Sequence, residues 1–209
     1  MVNKQKQKGF TLVELIVVLV ILGVLAALLV PALTGYIEKS RKNAVIADTR
    51  AITQAAQTEL SMVYATDAFQ NVKQKSMGSD GSLSAFVVAS KDGSAPAGFT
   101  QVVDDAADRY KDMVNLSEVA SLKNGKGGRF YVWADHSGVV QFTVYDSGKG
   151  YLGVYCAESG STEAVEKTDH AEGVLGAYDG MLFVQNPTAM FTTGQFKKEF
   201  YAAYLGITS

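Results

Sequence analysis

The sequence has few of the side chains that make covalent or metal cross-links. Its single cysteine, Cys156, leaves no partner for an intrachain disulfide, and the apolar residues around it predict a small core residue. Its two histidines, His136 and His170, fall in a predicted turn and a polar loop, without zinc-ligand spacing. The sequence therefore predicts no metal and no cofactor. A net charge of −2 argues against a chain built mainly to hold nucleic acid.

Charge is also almost absent from Phe10 to Leu33, where Glu14 is the one charged residue. About 20 apolar residues suffice to cross a bilayer, so this segment is predicted to span a membrane once. A carboxylate at the centre of such a segment costs roughly 2.5 to 3.5 kcal/mol, and less near its end. A compensating partner for Glu14 is therefore expected.

One partner for Glu14 is readable from the residues before it. If a protease cuts after Gly9, Phe10 acquires a free α-amine four residues from the carboxylate. In hydrocarbon, an ammonium and a carboxylate attract far more strongly than in water. The amine pairs either with Glu14 of the same chain or with Glu14 of a neighbouring chain.

The run Lys-Gly-Phe-Thr-Leu-Val-Glu, followed by an apolar helix, resembles the class III signal of type IV pilins and pseudopilins. The resemblance implies that a prepilin peptidase cleaves after Gly9 and methylates the new N-terminus at Phe10. It implies that Glu14 pairs with a neighbouring subunit's amine during assembly. Gly23 and Pro31 match the positions that bound a stretch often unwound in filaments. The single cysteine departs from the cysteine pair of many Gram-negative pilins, which favours a Gram-positive source.

Two other interpretations of the N-terminal segment are an ordinary signal anchor and a removed secretory signal. A removed signal has an apolar core of about 7 to 15 residues before a small-residue cleavage site. Here the apolar run is longer, and Ala26 and Ala27 lie inside it. Three lysines precede the run and hold the N-terminus in the cytoplasm by charge, although Lys39, Arg41 and Lys42 follow it.

The helix is predicted to continue far beyond the membrane, because apolar residues recur near the 3.6-residue period after Gly35. From Phe10 to Tyr64 it would be about 80 Å long. Pro31 removes one backbone hydrogen bond and predicts a kink. The expected domains are a leader at 1–9, a membrane-spanning or filament-core half at 10–33, an amphipathic half at 34–64, and a globular head at 65–209.

The head is predicted to place an antiparallel β-sheet on the long helix, which gives an α+β fold. A loop-like stretch covers Gln70–Thr100, with an apolar patch from Phe86 to Val88. A second helix covers Gln101–Leu122, and a solvated face best explains its clustered Asp104, Asp105 and Asp108. The predicted strands are Arg129–Ala134, Val139–Tyr145, Tyr151–Ala157 and Met181–Gln185, with an exposed loop at Glu158–Ala177 and a closing helix at Phe191–Tyr204.

The leading interpretation is a structural subunit of a type IV pilus serving adhesion or twitching motility. Its expected partners are further copies in a helical homopolymer, prepilin peptidase, the pilus assembly platform and, before assembly, the membrane. The expected location is the cytoplasmic membrane for a single-pass precursor, then the cell surface.

The string Gly148-x-Gly150-x-x-Gly153 matches a dinucleotide fingerprint, but it opens a predicted strand, so a hairpin turn is favoured.

The alternative interpretation is a minor pilin or a pseudopilin of a type II secretion or DNA-uptake system. DNA uptake would favour an exposed basic strip, for which the candidates are Lys73, Lys75, Lys91, Lys123, Lys126 and Arg129. A membrane-anchored enzyme is a third interpretation. The sequence offers no recognisable catalytic arrangement in its favour.

Overall fold

The computed structural model describes residues 9–66, 85–96, 98–101, 103–123, 127–185 and 195–208. The chain divides into two compact units, Met1–Ser40 and Arg41–Ser209. Of the candidate basic strip, Lys73, Lys75 and Lys126 lie outside the described residues, as do the three lysines that precede Gly9.

The described part of the first unit is one helical segment preceded by the non-helical residues 9–11. Helix α1 runs from Leu12 to Ala65 without interruption, and its residues up to Ser40 belong to this unit. Pro31 lies inside the helix, where the Thr34 hydroxyl donates a 2.9 Å hydrogen bond to the Pro31 carbonyl oxygen. The predicted long helix is confirmed, whereas the kink at Pro31 stays a prediction.

In the second unit, α1 continues from Arg41 to Ala65 and buries one stripe of its surface. The stripe repeats every three to four residues, which is the spacing of one helix face. Its buried members are Val45, Thr49, Ile52, Ala55, Ala56, Glu59, Leu60 and Val63. The stripe does not follow polarity at every position, since the apolar Ala44 is exposed and the polar Thr49 is buried.

The second unit also contains a seven-stranded sheet in the order β2-β1-β7-β3-β4-β5-β6. The strands are β1 Phe86–Ala89, β2 Thr100–Gln101, β3 Arg129–Ala134, β4 Val140–Asp146, β5 Tyr151–Cys156, β6 Ser161–Glu166 and β7 Met181–Val184. Strands β3 to β6 form an antiparallel meander, and β1 is antiparallel to β7. However, β7 is parallel to β3 and β2 is parallel to β1. The α+β class is therefore confirmed, but the sheet is mixed instead of antiparallel.

Helices cover both faces of the sheet. One core joins α1, α2 (Ala106–Ser117) and α3 (Ala120–Lys123) to one face, through residues such as Leu60, Met113 and Val132. The other core joins α4 (Asp169–Tyr178) and α5 (Phe196–Phe200), which continues as a π-helical turn over Tyr201–Leu205. Cys156 is buried in this second core, as predicted. Strands covered on both faces read as continuous apolar runs, as in β3 and β7.

The structure corrects several predicted boundaries. The second helix begins at Ala106, not Gln101, and Glu118 in the left-handed conformation (φ 56°) separates α2 from α3. The stretch predicted as loop-like contains β1, which includes the apolar patch, and the start of β2. The loop expected at Glu158–Ala177 contains β6 and most of α4. The closing helix begins at Phe196, and residues 191–194 of its predicted range lie outside the described residues.

Candidate functional site

The candidate site is the N-terminal end of α1, where the proposed cleavage and modification positions meet the helix. Gly9 and Phe10 are exposed and lie outside the helix, and Phe10 keeps 87% of its surface accessible. A protease needs an accessible, non-helical peptide bond. The bond between Gly9 and Phe10 meets both requirements.

Thr11 and Glu14 form reciprocal hydrogen bonds that begin the helix. The Thr11 backbone N–H and hydroxyl donate to Glu14 Oε2 at 2.8 and 2.7 Å, and the Glu14 backbone N–H donates to Thr11 Oγ1 at 3.3 Å. This is a capping box, in which two otherwise unpaired N–H groups of the first turn find acceptors. The carboxylate thus has a structural role within its own chain, which the sequence reasoning missed although the Thr-x-x-Glu spacing signals it.

The capping box leaves Glu14 able to accept a further donor. Both side-chain bonds go to Oε2, so Oε1 remains geometrically available for an ammonium group. The carboxylate also lies in the first turn, where the helix dipole stabilises negative charge. These local partners offset part of the cost of placing a carboxylate in an apolar segment, and a cation from another chain would offset more.

The apolar side chains that follow have no protein cover in the described residues of this unit. The large ones from Leu12 to Leu33 keep between 47% and 73% of their surface exposed. By length and composition, the helix that contains this segment is long and apolar enough to cross a membrane. An exposed apolar surface this continuous marks a membrane or protein contact. Gly23 lies within it, and an added Cβ there would meet no atom within 4 Å.

The described members of the candidate basic strip do not offer a free cationic surface. Lys91 Nζ lies 2.9 Å from Asp179 Oδ2. Arg129 binds both Asp146 and Glu172, at 3.2 and 2.6 Å. Lys123 is exposed in α3. With two of these side chains paired to carboxylates, the strip gives little support to a nucleic-acid interface.

The structure contains a buried charge cluster that the sequence did not predict. Asp146, 1% exposed at the end of β4, pairs with Arg129 and also with Lys167 at 2.8 Å. Both cations also contact Glu172 on α4. The available signal was an acidic residue that ends an alternating strand, but its partners lie 17 and 21 residues away. The cluster ties β3, β4 and α4 together.

Two of the three clustered aspartates, Asp105 at the N-cap of α2 and Asp108 in its first turn, pair with basic side chains of α2. Arg109 Nε donates to Asp105 Oδ1 at 2.8 Å, and Lys111 Nζ to Asp108 Oδ1 at 2.7 Å. Within the described ranges, no group of three or more His, Cys, Asp or Glu side chains is arranged to hold a metal ion. These contacts agree with the predicted solvated helix face.

Comparison with known protein families supports the N-terminal interpretation. Residues 4–30 match the family model described as the prokaryotic N-terminal methylation motif. This match and the exposed apolar helix identify the chain as type IV pilin-like at its N-terminus, and they indicate a membrane-anchored precursor.

Similarity to curated relatives covers about a quarter of the chain. The chain is 53% identical over 51 residues to type II secretion system core protein G of Klebsiella pneumoniae, which covers 24% of this chain and 36% of that protein. It is 42% identical over 55 residues to type IV major fimbrial protein FimA of Dichelobacter nodosus, with 26% and 35% covered. The chain thus spans about a third of the length of these relatives. No solved structure matches it.

Proposed function

We propose that this type IV pilin-like chain is a structural subunit of a type IV pilus at the cell surface. The proposal rests on the exposed apolar helix at the N-terminus. The capped carboxylate of this helix, Glu14, lies five residues after Gly9 of the motif. A soluble monomer has no use for such a surface, whereas a membrane precursor and a helical filament each bury it. The chain would pass from one to the other.

In this proposal the chemistry at the N-terminus belongs to the processing enzyme. A prepilin peptidase adds water across the peptide bond between Gly9 and Phe10, which frees the Phe10 amine. The amine nitrogen then takes one methyl group from a methyl donor bound by that enzyme, as the bond between the methyl carbon and the donor breaks. Glu14 of one subunit accepts a hydrogen bond from the ammonium group of its neighbour through Oε1, the oxygen that the capping box leaves available. The assembly platform of the pilus would deliver each subunit to the growing filament.

Cohesion between subunits would come from the apolar side chains more than from the ion pair. If each subunit buried about 1,000 Å² of apolar surface, the gross gain would be roughly 25 kcal/mol before the costs of association. The ion pair then acts mainly as a register mark, since a carboxylate left unpaired in an apolar contact is costly.

We further propose that the stretch between Gly23 and Pro31 unwinds in the filament. The single chain is helical there, but Pro31 lacks the amide hydrogen that would complete the hydrogen bonding of the preceding turn. Unwinding would lengthen the helix under load. A map of the assembled filament with continuous helical density across these residues would contradict this part of the proposal.

A second candidate function is a pseudopilin of a type II secretion system. The specific observation in its favour is the 53% identity to the core protein G of Klebsiella pneumoniae, against 42% to the fimbrial protein. Each alignment covers only about a quarter of this chain, so most of the chain does not enter this comparison.

The test is the intact mass of the protein in mechanically sheared surface filaments and in membranes. A mass for a chain that begins at Phe10 with one added methyl group, in an abundant sheared band, is the expected result for a major pilin. The same mass found only in membranes supports the pseudopilin. An uncut chain, or one cut elsewhere, contradicts both.

A further inference from the structure

A basic groove lies in the second unit between α1 and the turn that joins β4 to β5. Its volume is about 350 Å³, and its lining residues are Arg41, Lys149, Gly150, Tyr151, Glu166 and Lys167. Arg41 and Lys149 are exposed, and the ammonium of Lys42 lies 4.8 Å from the centre of the Tyr151 ring. Cationic groups thus converge on an aromatic side chain that is amphipathic.

The charges in this groove do not cancel. Lys167 is already held by Asp146 at 2.8 Å and by Glu172, so its charge is used within the fold. Among the described residues that line the groove, Glu166 is the one acid, against the two cations Arg41 and Lys149. The groove therefore carries a net positive charge and would attract a compact anion.

The sequence keeps this groove close to the membrane. Arg41 follows Leu33, the last residue of the apolar segment, by eight residues. Even a fully extended chain of that length reaches no more than about 28 Å, so the groove stays beside the bilayer surface whatever the arrangement of the two units. Basic residues this near a membrane are drawn to anionic phospholipids.

We propose that this groove binds the phosphate headgroup of an anionic phospholipid at the outer surface of the membrane. Arg41 donates to the phosphate oxygens, Lys149 supplies a second positive charge, and Tyr151 lies at the polar–apolar boundary, as tyrosines commonly do. The entrance beside Gly150 is open, since an added Cβ there would meet no atom within 4 Å. The contact would hold the head at the membrane before assembly. It requires only the membrane-anchored precursor, so it holds for either proposed function.

A phospholipid fits the groove better than nucleic acid does. Its volume suits one headgroup, whereas a nucleic-acid strand needs a line of cations spaced along its backbone. Two basic side chains elsewhere in the head, Lys91 and Arg129, are paired with carboxylates and do not extend the groove into such a line.

The experiment is hydrogen exchange on the full-length chain in nanodiscs of phosphatidylcholine alone or mixed with phosphatidylglycerol. We expect the backbone amides of residues 148–151 to exchange at least about fivefold more slowly in the anionic discs at low salt. High salt should remove most of this difference, because it screens exposed charges. The double variant Arg41→Gln/Lys149→Gln should abolish it.

Lys198→Gln is the matched control, because it removes one exposed lysine beside the turn at the opposite end of β5. It should keep the slow exchange. Equal exchange in the two lipid mixtures overturns the proposal, as does slow exchange that survives the double variant. If duplex DNA slows the exchange in phosphatidylcholine discs and phosphatidylglycerol does not slow it, the lipid proposal is wrong and the groove is a nucleic-acid site.

Discussion

At the residue scale, Glu14 combines two roles that are usually studied apart. Within its own chain it accepts two hydrogen bonds from Thr11 and so begins α1. In the proposed filament it carries the charge that meets a neighbouring amine. A glutamine keeps the first role, since its amide oxygen accepts the same bonds, but it loses the charge. This difference separates helix capping from assembly.

Replacing Glu14 by Gln should therefore leave insertion and cleavage after Gly9 close to normal and reduce filament yield at least about tenfold. The yield in sheared material and the mass of the membrane-bound chain measure the two effects. The control is Thr11→Val, which removes the capping hydroxyl and keeps the Glu14 charge; it should assemble better than the Glu14 variant. Normal filaments from Glu14→Gln would show that the charge has no part in register.

Gly153 is another residue whose role follows from one contact. It lies in the middle of β5 against α1, where an added Cβ would overlap Thr49 Oγ1 and lie 2.9 Å from the Val45 carbonyl oxygen. The Thr49 hydroxyl cannot easily turn away, because it donates to that same carbonyl at 2.7 Å. The glycine permits the close approach of helix and strand.

We expect Gly153→Ala to lower the free energy of unfolding by about 1 to 3 kcal/mol, because helix and strand must move apart. Chemical denaturation of the full-length chain in mild detergent measures it. Gly173→Ala in α4 is the matched control, since an added Cβ meets no atom within 4 Å there and alanine favours a helix. A loss no larger in the first variant than in the second would contradict the close approach.

At the element scale, α1 joins two kinds of surface in one helix. Its first half exposes apolar side chains around its whole circumference, whereas its second half buries a single stripe against the sheet. The stripe also includes Glu59, 2% exposed, whose carboxylate lies 3.6 Å from Arg109 Nη1 on α2. This ion pair connects two helices that cover the same face of the sheet.

The pair at Glu59 should make stability depend on pH. Burial raises the pKa of the Glu59 carboxyl above its usual 4.5, Arg109 lowers it in part, and Asp112 and Asp105 raise it further. Above about pH 4.5 the unfolded chain loses this proton before the folded chain does, so the contribution of Glu59 to stability falls as pH rises.

Glu59→Gln removes this dependence, so the stability of the wild type relative to the variant should fall as the pH rises above about 4.5. Denaturation curves of both proteins across that range measure the difference. Glu118→Gln, which changes an exposed carboxylate of the same layer, should show little of it. A constant difference between wild type and Glu59→Gln would mean that the folded state does not raise this pKa.

How far the elements were predictable depends on how strongly each one is patterned. The helix period of α1 and the aromatic, β-branched runs of β3 to β5 predicted those elements correctly. Strand β6 reads Ser-Thr-Glu-Ala-Val-Glu, which has low strand propensity, and it forms because β5 offers a free edge. Helix α4 contains two glycines, so its intrinsic helix propensity is weak, and it forms because it packs on the sheet.

The residues of the candidate site and those of the groove also differ in how far the sequence predicts them. Gly9, Phe10 and Glu14 stand in a local motif, so their positions were readable from neighbouring letters. The groove beside Arg41 draws on α1, the turn after β4 and the end of β6, which are distant in sequence. Register alone brings Gly150 next to Lys167, whose backbone N–H donates to the Gly150 carbonyl at 3.3 Å. Their spacing in the sequence does not predict that Gly150 and Lys167 lie side by side.

At the scale of the whole molecule, folding and assembly draw on different parts of the chain. Every buried residue of α1 lies at Val45 or later, and both hydrophobic cores are built from residues of the second unit. The apolar segment from Leu12 to Leu33 adds no described residue to either core. The stability of the head should therefore be independent of the segment that anchors it.

A chain that begins at Arg41 should be soluble without detergent and should unfold within a few degrees of the full-length protein measured in mild detergent. Thermal unfolding followed by circular dichroism tests this. The control begins at Arg50 and so also removes the buried Val45 and Thr49; its midpoint should fall by at least about 5 °C, because their packing against β5 is lost. If the chain from Arg41 is unfolded, the first unit supports the head, and the separation of folding from assembly is wrong. If it is folded but still forms filaments, cohesion comes from the heads, and the exposed apolar helix loses its proposed purpose.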